Sequence, residues 1–108
     1  MVIDRYSKLL YIKVMKKAEI VFTKRAMKEI EKLPKNIVEA LMIWTFSVEE
    51  VGIHEVRKIR GYHDEPLHGD RQGQRSVRLS RAYRVFYSIA ENGEIEIITV
   101  LEVNKHRY

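Results

Sequence analysis

The apolar positions change period midway along the chain. Up to Val51 they recur every three or four residues, and from residue 75 they alternate, so helices are expected first and strands afterwards. The short run AEIVFT (18–23) reads as a strand, and its last residue, Thr23, is a suitable N-cap for a helix through Leu33 with Ala26, Met27, Ile30 and Leu33 on one face. Pro34 ends that helix. A second begins near Lys35 or Asn36, because Ile37, Ala40, Leu41, Trp44 and Val48 keep helical spacing before Gly52. So short a connection makes the two helices antiparallel.

GYHDEPLHGDRQG (61–73) has the glycines, proline and polar residues of a loop. Beyond it, Val77 and Leu79 oppose Ser76, Arg78 and Ser80, while Tyr83, Val85, Tyr87 and Ile89 oppose Arg84, Phe86 and Ser88. Asn92-Gly93 signals a hairpin into EIEIITVLEV, with Ile95, Ile97, Thr99, Leu101 and Val103 expected on one side. The expected fold class is α+β, with two N-terminal antiparallel helices packed on one face of a small, mainly antiparallel sheet. Residues 1 to 14 place Ile3, Tyr6, Leu10 and Val14 near helical spacing and precede MKKAEIVF, which itself resembles a translation start. They are assigned as an N-terminal extension, and residues 15 to 108 as one domain.

A length of 108 residues, 45% hydrophobic, allows one core and not two. The absence of cysteine excludes disulfides and thiolate metal sites, and no apolar run approaches the length of a membrane span, so a cytoplasmic protein is expected. Net charge is +5, and its distribution is uneven. Residues 53 to 90 carry eight Lys/Arg against four Asp/Glu, together with His54, His63 and His68. Such a surface attracts polyanions, nucleic acid above all.

Alternation places Arg78 and Arg84 on neighbouring strands, both directed away from the core. Paired guanidinium groups on a rigid sheet suit a phosphate. The ending NKHRY adds Lys105, His106 and Tyr108, and an imidazole beside fixed cations suits cleavage of an RNA phosphodiester. The 2′-hydroxyl must lose a proton, the 5′-oxygen must gain one, and cations must meet the phosphorane charge. Two solvated strand arginines and a frayed tail are the ordinary alternative. HDEPLHGD holds His63, Asp64, Glu65, His68 and Asp70, but its histidines are five apart across Pro66, so no metal site is expected there.

EPLHGDRQGQRSVRLSRAYRVFYSI followed by ITVLEVNKHRY resembles the RelE-like superfamily of bacterial toxin ribonucleases, most of all its HigB and RelE branches. Pro-Leu-x-Gly, R-x-x-R-L-x-x-x-Y-R-x-x-Y and the terminal His-x-Tyr carry the resemblance. It implies a type II toxin that cuts messenger RNA without metal or cofactor, usually in the 30S decoding site of the ribosome, and that a cognate antitoxin silences. By this likeness Arg78, Arg84, His106 and Tyr108 are the expected catalytic residues, with the division of acid and base between the last two left open. Lys58, Arg60, His63, Arg71, Arg75 and Lys105 are the expected RNA-binding residues. A gyrase-directed toxin of the ParE type and a non-catalytic RNA-binding module are the competing readings.

Overall fold

The computed structural model describes residues 16–93 and 95–105, so the expected N-terminal extension and the terminal His106 and Tyr108 lie outside the described residues. Strand β1 (Ala18–Phe22) leads into helices α1 (Lys24–Glu31), α2 (Lys35–Val51) and the single-turn α3 (Ile53–Val56). After them come β2 (Glu65–Pro66), β3 (Gln74–Arg78), β4 (Tyr83–Asn92) and β5 (Ile95–Lys105). The sheet order is β1-β5-β4-β3-β2, with β1 parallel to β5 and every other pairing antiparallel. None of the described helices is long and apolar enough to cross a membrane.

Helical spacing predicts the buried side of α2 correctly, since Ile37, Leu41, Trp44 and Val48 are all buried. Trp44 meets Tyr87 of β4 at 5.3 Å between ring centroids, which fixes the helix over the centre of the sheet. Gly52 then takes a φ of 87° and turns the chain into α3, an element the loop-like sequence does not announce. The turn is tied to the sheet by Glu96, whose Oε1 accepts the Ile53 amide at 3.0 Å. One expected core residue is not in the core. Met27 is 58% exposed, because α1 turns Ala26, Ile30 and Glu29 toward the sheet and leaves Met27 on the solvent side.

The β4–β5 register is interrupted once: Phe86 pairs with Glu102 but Tyr87 pairs with Val100, so Leu101 is an extra residue on β5. A bulge of this kind reverses the phase of alternation beyond it. Before it, the core receives Ile98 and Val100; after it, the core receives Val103. The expectation that Ile95, Ile97, Thr99 and Leu101 share the face of Val103 is therefore overturned, since a uniform period of two cannot cross an inserted residue.

Thr23 holds the bulge in place. Its hydroxyl donates to the Leu101 carbonyl at 2.9 Å and accepts the Ala26 amide at 3.0 Å, capping α1 as the sequence predicts, while its own amide donates to Val100 O. Glu29 completes the attachment further along α1, accepting the Val103 amide at 2.9 Å and the Asn104 side-chain amide at 3.3 Å.

On the helix side of the sheet, Arg75 donates to Asp64 Oδ1 at 2.6 Å, and the Tyr87 hydroxyl donates to the other carboxylate oxygen. The Asp64 side chain is 1% exposed, so this carboxylate is compensated from within the protein. Burial, reinforced by the Asp64 carboxylate, pushes the Tyr87 hydroxyl far above the ordinary tyrosine range.

Two outcomes check this account. Thr23→Ala should lower unfolding free energy by about 2 kcal/mol in a denaturant titration, combining a lost cap with a lost carbonyl contact, whereas Thr23→Ser should stay within roughly 0.5 kcal/mol. Arg75→Ala should be costlier, about 3 kcal/mol, because it strands the Asp64 charge; Asp64→Asn in the same background should recover part of that loss.

Candidate functional site

The face of the sheet that none of the described helices covers is assembled row by row from the strand register. Arg78 of β3 lies directly opposite Arg84 of β4, which in turn lies opposite Asn104 of β5; the next row is Ser76, Phe86 and Glu102. Strand alternation makes all six neighbours on one face, with Val77, Val85 and Val103 buried on the other. Glu102 and Asn104 join this face only because of the bulge at Leu101.

Arg84 is held in place. Its side chain is 12% exposed, with Nη1 donating to Ser76 Oγ at 2.9 Å and lying 3.8 Å from Glu65 Oε1. Arg78 has no ion-pair partner among the described residues, and it lines a cleft of about 280 Å³ with Ile59, Gly61, Tyr62 and Leu79. Like charges directly opposite on adjacent strands are destabilising. An arginine pair so placed, with one member already fixed and the other unpaired beside a cleft, is arranged to receive an anion.

Two further arginines flank the rows. Arg71 reaches in from the loop, its guanidinium 4.4 Å from the centre of the Phe86 ring, donating to Gln74 Oε1 at 2.8 Å and to Glu102. Arg25 of α1 approaches the other Glu102 oxygen at 3.1 Å, and Asn104 donates to that same oxygen at 3.0 Å. Glu102 therefore organises two cations and an amide at the margin of the face. Sequence reasoning missed Arg25, Glu102 and Asn104, since α1 reaches this face only by following the bulged strand.

The other expected contacts are dispersed. Arg60 lies on the short helical turn Arg60–Tyr62 beside the cleft, and His63 follows it in a left-handed conformation, φ 47°, with Nε2 3.9 Å from Glu65. Lys58 is exposed and paired with Glu55 at 2.9 Å, an arrangement of little energetic weight. Lys105 sits opposite Tyr83 and alternates with Asn104, which puts its Cβ on the helix side at the sheet's end. Arg75 is also on the helix side, committed to Asp64; although burial opposes its charge, that carboxylate holds its pKa above the ordinary arginine value. The structure thus separates Arg75 from Arg78 and Arg84.

The acidic loop does not close around a point, because Asp64 turns inward to Arg75 and Tyr87. A different trio, His54, Glu91 and Glu96, puts three potential ligand atoms within 4.8 Å of one another near the β4–β5 turn. There Glu96 already accepts the Ile53 amide and lies 3.2 Å from His54 Nε2. It is occupied in joining α3 to the sheet.

No protein-family model matches this sequence, and none of the curated proteins matches it by sequence. Solved structures do match. The YoeB/ParE toxin from Agrobacterium tumefaciens superposes with a TM-score of 0.63 at 19% identity, covering 82% of this chain and 99% of its own. The RelBE2 toxin–antitoxin complex from Mycobacterium tuberculosis gives 0.61 at 23% identity over 83% of this chain and 99% of the matched one. The archaeal RelE–RelB complex from Pyrococcus horikoshii gives 0.62 at 22% identity, covering 82% and 94%. The chain has the fold of the RelE- and YoeB-type toxins.

Proposed function

We propose that this protein is the toxin of a type II toxin–antitoxin pair and that it cleaves messenger RNA on the helix-free face of the sheet. The direct opposition of Arg78 and Arg84 is the observation that carries the reading. It supplies two guanidinium groups on adjacent rigid strands, with Arg84 already oriented by Ser76 and Glu65, so that little ordering remains when a phosphate arrives.

In this reaction the 2′-oxygen bonds to phosphorus as its proton leaves, the bond from phosphorus to the 5′-oxygen breaks, and that oxygen is protonated. A cyclic phosphate and a 5′-hydroxyl result. Arg78 and Arg84 meet the charge that grows on the non-bridging oxygens, a contribution largest in the transition state. We assign the two proton transfers to His106 and Tyr108, which come one and three residues after Lys105 in the sequence, Lys105 being the last residue of the strand that carries Asn104 beside Arg84. Histidine is the side chain suited to such transfers near neutral pH. Lys58, Arg60, His63 and Arg71 contribute attraction along the RNA, and no metal or cofactor is assigned a step.

The partner follows from the same reading. Neighbours of this fold were solved as complexes, RelBE2 as a toxin with its antitoxin, and a basic toxin favours an acidic antitoxin segment laid across the arginines. Translated messenger RNA on the ribosome is the proposed substrate, in the cytoplasm.

The expected outcome is that Arg78→Ala, Arg84→Ala and His106→Ala each lower cleavage of translated messenger RNA by about a hundredfold or more while circular dichroism shows a folded protein. Undiminished cleavage in all three would refute the assignment. Inhibition of DNA gyrase supercoiling by the unaltered protein, with intact RNA, would favour the ParE-type alternative instead. A second check separates binding from chemistry. Affinity for single-stranded RNA should fall with salt, and Arg78→Ala should reduce the slope of log K against log salt by about 0.7, the contribution of one phosphate contact.

A further inference from the structure

The cleft beside Arg78 has a lining that a phosphate alone does not require. Its volume is about 280 Å³, and Ile59, Gly61, Tyr62, Arg78 and Leu79 surround it, so one cation shares the space with an aromatic ring and two aliphatic side chains. An unpaired nucleobase fits such a surface, because its faces stack on aromatic rings while the attached phosphate seeks a cation. The volume falls just under the roughly 300 Å³ at which pockets for drug-sized ligands begin, which suits one base and not a run of them.

The walls are set before a ligand arrives. Tyr62 and Leu79 are partly buried against the hydrophobic core, which holds both side chains in place. The Tyr62 amide donates to the Ile59 carbonyl at 3.1 Å, closing the short turn that carries both residues, and the Leu79 amide donates to the Tyr83 carbonyl at 2.9 Å across the β3–β4 connection. The turn and the strand end are thus each fixed by their own backbone. At Gly61 an added Cβ would meet no heavy atom within 4 Å beyond its chain neighbours, so this part of the lining is open, and Ile59 is 50% exposed beside it.

We propose that this cleft seats one unpaired nucleobase of the RNA, stacked on Tyr62 between Ile59 and Leu79, from a nucleotide that flanks the phosphate held by Arg78 and Arg84. This inference rests on the nuclease reading for that phosphate and adds where the neighbouring base goes. Arg78 joins the two subsites, since it lines the cleft and also lies opposite Arg84. A base and its adjoining phosphate are linked through one ribose, so seating the base fixes the register of the backbone over the arginines. The aliphatic walls offer no hydrogen bond to a base edge, and every base has a face to stack. The cleft therefore positions the strand without selecting its sequence.

Binding of the full chain to two single-stranded oligomers, followed by fluorescence anisotropy, tests this. Both are 2′-O-methylated to prevent cleavage and equal in length; one carries bases and the other is abasic throughout, so their phosphates are the same in number. Tyr62→Leu should weaken binding of the base-carrying oligomer about tenfold, alike for adenine, cytosine and uracil, and leave the abasic one within about twofold. Tyr62→Phe, which keeps the ring, should match the unaltered protein on both. Ile59→Ala, at a half-exposed position that folding tolerates, should show a smaller loss confined to the base-carrying oligomer. Arg78→Ala should weaken both. Unchanged or equally weakened binding of the two oligomers by Tyr62→Leu, with Arg78→Ala still weakened on both, would overturn the cleft proposal and leave the nuclease reading standing. If Arg78→Ala bound both as tightly as the unaltered protein, that reading would fail and this inference with it.

Discussion

One inserted residue, Leu101, determines which side chains of β5 share a face with the arginines. Without it, alternation from Ile98 and Val100 would carry Glu102 and Asn104 into the core and Val103 out of it. The bulge returns Val103 to the apolar layer and sets Glu102 and Asn104 beside Arg84 and Phe86. Thr23 binds the bulged carbonyl with the same hydroxyl that caps α1, so helix, strand and bulge are specified together. Moving any of the three displaces Arg25 and Glu29, through which α1 reaches Glu102 and Asn104 beside the arginines.

The second organising feature is the separation of two arginine systems by the thickness of the sheet. Arg75 points to the helix side and pairs with Asp64, whose other oxygen accepts the Tyr87 hydroxyl, so both oxygens of this buried carboxylate are engaged. Three residues further along β3, Arg78 points the other way and is left without an ionic partner among the described residues. A strand can serve stability at one position and binding at another only because successive residues face opposite ways. The same separation allows replacement of Arg78 with little effect on the core, which Arg75 does not permit.

Much of this was legible in the sequence because it depends on periodicity over long runs. The core stripe of α2, the Thr23 cap, the β4–β5 hairpin and the outward placement of Arg78 and Arg84 all follow from spacing. What escaped depends on single events. The bulge is one residue in an otherwise regular strand, so Ile97, Thr99 and Leu101 were assigned to the wrong side. Met27 fits the α1 stripe by spacing, but the hydrogen bonds of Glu29 to β5 rotate the helix so that Ala26 and Ile30 face the sheet and Met27, about 100° around from Ala26, faces solvent. Arg75 looked like one more cation in a basic stretch, since its partner Asp64 lies eleven residues away in a loop whose path spacing does not reveal.

The two members of the arginine pair differ in how much order they bring to a ligand. Arg84 is fixed by Ser76 and Glu65, so it contributes orientation without losing much side-chain entropy on binding, but part of its charge is already compensated. Arg78 has no ionic partner among the described residues and would contribute stronger attraction, at the entropic cost of ordering its side chain. On the proposed reading, an anion that approaches would first meet the freer cation and then be aligned by the fixed one. Two fixed arginines would be neutralised before the ligand arrived, and two free ones would hold it in no single geometry. The asymmetry of the pair is therefore what would join attraction to alignment on this face, and it arises because β2 starts only at Glu65: Glu65 pairs with Ser76 and lies 3.8 Å from Arg84, while Arg78, beyond that end of the antiparallel pairing, has no ionic partner among the described residues.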